Sequence, residues 1–141
     1  MTQLEVLKKL AERDGGLLRP KAVVDEARDE ASPLHPAFEW DDSIASEKYR
    51  LEQAQRLIRS FRIVQKDGEK KFERPVFVGL SVDRTGDSGD NPYRLTDDLQ
   101  KYPDLLAIAE RDALEQLQGM KERYGHLKRL NDVWSAIDAH V

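Results

Sequence analysis

His35, Glu39, Asp41 and Asp42 crowd into residues 35–42, and a histidine among carboxylates is a side-chain set that ligates divalent metals or passes protons. Their spacing matches no metal or hydrolase motif, however, and helix capping and loop anchoring account for the same residues. No catalytic residue and no metal ligand is assigned to them. Gly86-Asp87-Ser88-Gly89 is acidic and lacks the lysine of a phosphate cradle, so it reads as a loop. His126 and His140 fall on or beyond the last helix with no partner in view. The chain has no cysteine, which removes thiol chemistry, disulfides and cysteine-based metal sites. A non-enzyme is expected, with no cofactor and no small-molecule substrate.

Binding chemistry is better represented. Between Lys48 and Arg74 the sequence holds nine basic residues against Glu52, Asp67, Glu69 and Glu73, a local balance of +5 in a chain whose net charge is -4. Lys48, Arg56, Arg59, Arg62, Lys66, Lys70 and Lys71 are the candidate contacts to nucleic-acid phosphates. The competing explanation is a solvated helix face, and Asp41, Asp42 and Glu47 place negative charge where base-reading residues would sit.

A second pattern runs near the C-terminus. Leu106, Ala113, Met120, Leu127 and Trp134 recur every seven residues, with Leu117 and Tyr124 four positions after two of them. This is the spacing of a coiled-coil seam and predicts self-association, most simply as a dimer. Leu105, Leu114, Leu130, Val133 and Ile137 widen the stripe, and packing within one chain would explain that width equally well.

The elements that must position these groups follow from periodicity. Leu4, Leu7, Leu10 and Ala11 give a first helix ended by Asp14-Gly15-Gly16, and Pro20 opens a short second one. Pro33 and Pro36 forbid a regular helix over residues 30–40, where Leu34, Phe38 and Trp40 anchor an ordered loop. Asp41, Asp42 and Ser43 are read as the start of a third helix reaching about Phe61. Residues 62–66 and 72–82 read as two strands joined by the turn Asp67-Gly68-Glu69-Lys70, with Pro75 marking an edge or bulge. Residues 83–95 read as a flexible loop. Thr96 caps a short turn, and Pro103 opens a helix expected to continue to Ala139, weakened at Gly119 and Gly125.

The expected fold class is therefore mainly α with one β-hairpin (α+β): a winged-helix-like module over residues 1–82, the loop 83–95, and an amphipathic oligomerisation region over 96–141. Three helices followed by a hairpin is the chain order of a winged helix-turn-helix. The composition, 39% hydrophobic and 35% charged, suits one modest core. The charged N-terminal segment is unlike a secretory signal, and no apolar run is long enough to cross a bilayer, so a cytoplasmic protein without membrane contact is expected.

Ser32-Pro33-Leu34-His35, Phe38-Glu39-Trp40-Asp41-Asp42 and Tyr49-Arg50-Leu51-Glu52-Gln53-Ala54 together resemble a family of small uncharacterised proteins of tailed bacteriophages and prophages. The likeness covers residues 4 to about 82. It implies a phage setting in a bacterial host cytoplasm and brings no catalytic residue. Two functions fit: an accessory DNA-binding protein that uses the third helix and hairpin, or an assembly factor that self-associates through its C-terminal helix.

Overall fold

The computed structural model describes residues 1–140, so Val141, the last residue of the expected C-terminal region, lies outside it. The chain is mainly α-helical with a two-stranded antiparallel hairpin and a long helix towards its C-terminus.

Helix α1, Gln3–Arg13, starts where the Thr2 hydroxyl accepts a bond from the Glu5 amide. It buries Val6, Leu7, Leu10 and Ala11. Gly15 and Gly16 end it at φ 62 and 96, which returns the Gly16 amide to the Ala11 carbonyl. Helix α2, Pro20–Ala27, has proline in its first turn and buries Val23, Val24 and Ala27. Its Lys21 amide is capped from a distance by the Asp90 carboxylate at 2.9 Å.

Helix α3, Glu47–Ser60, packs on α2 and turns Arg50, Ala54 and Ile58 inward. It starts later than the sequence suggested. Ser46 caps it, while Asp41-Asp42-Ser43 forms a tight turn in which the Asp41 carboxylate accepts from the Ser43 amide and hydroxyl. Ala45 is buried just after that turn and Ile44 is left 70% exposed, so the expected capping triad serves the loop instead of the helix.

Strands β1, Arg62–Asp67, and β2, Lys70–Pro75, form the hairpin. Gly68 takes φ 63 as the first of two loop residues and Glu69 stays at negative φ, the arrangement of a type II′ turn. The second strand does not run to Val82. Beyond Pro75 and the buried Val76, strand β3, Phe77–Val78, pairs with a new partner, β4, Arg94–Leu95. The Thr96 amide bonds the Val76 carbonyl, and the Thr96 hydroxyl donates to Pro75 and does not cap the following helix.

Residues 83–95, expected to be a loose connector, are tied to the module. Leu18 and Tyr93 exchange backbone bonds of 2.7 and 2.8 Å, and Arg94 forks onto the largely buried Asp83. The core gathers α1, α2, α3, the residue 34–38 loop and β3.

Helix α4, Thr96–Lys101, leads to α5, Pro103–Tyr124, which carries no fully buried side chain. The helix does not continue to Ala139. A Cβ at Gly125 would sit 2.6 Å from the Lys121 carbonyl oxygen, and the chain turns there. Helix α6, Asn131–Asp138, folds back against α5, with Asp138 paired to Lys121.

Candidate nucleic-acid interface

The seven cations singled out from the sequence are all exposed in the structure. On α3, Lys48, Arg56 and Arg59 share the side opposite the buried Arg50, Ala54 and Ile58, because the steps from Lys48 to Arg56 and from Lys48 to Arg59 return to within about 80° and 20° of the starting helical angle. Glu52 interrupts this row. Tyr49 lies under the Arg56 guanidinium at 6.0 Å, which holds that side chain against the helix surface.

The hairpin register sorts its charges by face, since directly opposed residues point the same way. Lys66 stands across from Lys71, and Val64 across from Glu73. With Arg62 these make the outward face. The other face carries Ile63, which packs on the core, with Gln65, Phe72, Arg74, Asp67 and Lys70. Lys66 and Lys70 therefore lie on opposite faces, and the cross-strand cationic pair is Lys66 with Lys71. Like charges directly opposed weaken a hairpin unless an anion joins them.

Ion pairing divides the basic segment cleanly. Arg50 is committed to Asp42 and Glu47, and Arg74 to Asp97. Among the described residues no carboxylate lies within 4.0 Å of the charged groups of Lys48, Arg56, Arg59, Arg62, Lys66, Lys70 or Lys71. Two features were missed from sequence: the Lys66–Lys71 pairing, which requires the turn register, and the exposure of Val64 and Phe72, at 61% and 48%, on the hairpin. The alternation of strand residues contained the second signal.

The histidine and carboxylate cluster is spent on structure. His35 Nδ1 bonds the Ala27 carbonyl at 2.7 Å, and its ring stacks on Trp40 with centroids 5.0 Å apart. Trp40 Nε1 donates to the His35 carbonyl, and Arg50, only 5% exposed, lies over the indole and donates through Nε to the Glu39 carbonyl. The Ser43 hydroxyl, then its amide, hold the Asp41 carboxyl below its ordinary pKa. Glu47 raises Arg28 by a direct hydrogen bond, tying the end of α2 to the start of α3.

The expected seam divides at Gly125. Leu106 is half-buried and Ala113, Leu117, Met120, Tyr124 and Leu127 are exposed, whereas Trp134 is buried with Ile137 between α6 and α5. Its indole Nε1 donates to the Leu127 carbonyl at 3.4 Å. Trp134 is thus not part of the seam, because the fold-back turns it inward.

No protein-family model, curated protein or solved structure matches the chain. Among the described residues no helix is long and apolar enough to cross a membrane.

Proposed function

We propose that the protein is a non-catalytic accessory factor that binds duplex DNA through α3 and the β1–β2 hairpin. The observation that carries this reading is the set of seven exposed cations on α3 and the hairpin that have no carboxylate partner among the described residues. A helix followed by a hairpin is the pair of elements with which winged helices approach DNA, the helix in the major groove and the hairpin along the flanking backbone. Lys48, Arg56 and Arg59 would contact phosphates from the helix, and Arg62, Lys66 and Lys71 from the outward hairpin face, with Lys70 at its tip. Such contacts position a protein on DNA and carry little sequence information. The motif resemblance adds a phage or prophage setting, with the host cytoplasm as the place of action.

The test is a mobility-shift titration with duplex and single-stranded DNA at low and moderate salt. Duplex binding at low salt is expected, abolished by Lys66→Glu with Lys71→Glu at an unchanged melting temperature, since exposed charges contribute little to folding. Absence of binding even at low salt would remove the reading.

A second reading, self-association through the C-terminal helices, is favoured by a separate observation. Leu117, Met120 and Tyr124 are 39%, 50% and 42% exposed along one side of α5, and Leu127, in the turn that follows, is 42% exposed. Apolar groups grouped in this way mark interaction surfaces. This reading stands beside DNA binding, as the two use different elements.

A further inference from the structure

We propose that Glu52 reads a cytosine in the major groove, so that the surface formed by α3 selects DNA by sequence. This rests on the DNA-binding reading and supplies what the seven cations lack, a group that answers to base edges and not to phosphates.

Glu52 stands at the centre of the face that α3 turns away from the core. About 40° of helical rotation separates it from Lys48 on one side and from Arg56 on the other, and Arg59 lies about 20° away. Ala54, in the middle of the buried stripe, is about 160° round the helix. The Glu52 side chain is exposed. Its spacing invites ion pairs with Lys48 and Arg56, four residues before and after it, the usual reason for a carboxylate on a solvated helix. Among the described residues, however, neither cationic group comes within 4.0 Å of it. Arg56 is held over the Tyr49 ring instead. Residues 87–89 border the face without closing it: Asp87 is drawn to Lys21 at 3.8 Å, and a hollow of about 300 Å³ stays open beside Lys48 and Glu52.

With α3 laid in the major groove, the flanks of this face meet the phosphate rims and its centre meets the base edges. Lys48 and Arg56 occupy the two flanks and have the longer reach. A carboxylate between them is repelled by phosphate, so Glu52 lowers affinity for DNA at large and regains it only where a base offers a hydrogen-bond donor. Two groups on the major-groove edges donate, cytosine N4 and adenine N6. Adenine sets its N7 acceptor beside that donor, where it opposes an ionised carboxylate, and cytosine does not. Glu52 therefore selects cytosine through a charge-assisted bond from N4. A glutamine at the same place matches adenine, accepting from N6 while donating to N7.

Selection from a random-sequence duplex library at low salt, with the full chain as wild type, Glu52→Gln and Glu52→Ala, tests the assignment. The wild type is expected to enrich sites that share a cytosine, and exchanging that base pair in a selected duplex should weaken binding by about tenfold. Glu52→Gln should move the preference at that position to adenine. Glu52→Ala should accept every base there and bind unselected duplex more tightly than the wild type, with unchanged circular dichroism. A wild type that binds duplex DNA but enriches no sequence, a cytosine preference that Glu52→Ala retains, or one that Glu52→Gln leaves unmoved would overturn the role of Glu52 while leaving DNA binding in place. Absence of binding to any duplex at low salt would overturn both.

Discussion

Replacing Trp40 with alanine tests whether the residue 30–46 loop is a structural lock or a binding surface. The indole is half-buried, with His35 stacked on it and the guanidinium groups of Arg28 and Arg50 5.7 and 5.1 Å from its centroid. Full burial of a tryptophan makes its truncation cost about 3–5 kcal/mol, so half burial contributes about 2 kcal/mol. The lost hydrogen bond to the His35 carbonyl adds about 1 kcal/mol. The cation contacts overlap with both, and the expected cost is about 3 kcal/mol, a fall in Tm on the order of 10 °C for a chain of this size. Trp40→Phe keeps a ring and should lose about 1 kcal/mol. Thermal and urea unfolding followed by circular dichroism measure both. A Trp40→Ala protein within about 1 kcal/mol of wild type would refute the lock. If it also lost DNA or protein binding, the loop would be a contact surface.

Two glycines, Gly119 within α5 and Gly125 just past its C-terminal end, should respond with opposite signs. Gly119→Ala meets no atom within 4 Å and should stabilise α5 by about 1 kcal/mol, whereas Gly125→Ala drives a Cβ onto the Lys121 carbonyl and should lower Tm and loosen α6. Arg94→Met leaves the largely buried Asp83 carboxylate without its fork and should cost about 3 kcal/mol in urea unfolding; pairing it with Asp83→Leu should recover much of that loss. The Ser81 hydroxyl, followed by its amide, lowers the pKa of Asp112. A depressed carboxylate contributes stability that is present above its unfolded pKa and lost as pH falls through the folded value. The stability difference between wild type and Asp112→Asn should therefore be constant near neutrality and shrink only in the acid range, and a difference that persists unchanged at the lowest pH would exclude this role.

What the sequence made legible was local and periodic. The Leu4, Leu7, Leu10 and Ala11 stripe defines α1, and Gly68 defines the hairpin turn, because each acts on its own neighbours. The start of α3 was read too early because Asp41, Asp42 and Ser43 have capping side chains, whereas the residue whose hydroxyl accepts from the first turn is Ser46, further along the chain. The valines of residues 76–82 continue a strand-like alternation after the strand has ended. Its successor partner, Arg94–Leu95, is two residues long and lies across the intervening loop, so no period announces it. The heptad spacing likewise runs through Gly125 undisturbed, although Trp134 faces α5 after a reversal of direction. The seven candidate cations were named from charge and element type alone. That they have no carboxylate partner among the described residues, and that Lys66 pairs with Lys71, needed coordinates.

The most direct measurement is the salt dependence of duplex DNA affinity for the wild type beside Lys66→Glu with Lys71→Glu. Neutralising up to seven phosphates gives a slope of log Kobs against log salt concentration of about -6, a loss of several thousandfold between 50 and 200 mM salt. The double variant should bind far more weakly and lower the slope by about 2. Wild-type binding that is absent at 50 mM salt, or a slope and affinity that the two substitutions leave unchanged, would contradict the assignment of the hairpin and α3 as a DNA-binding surface.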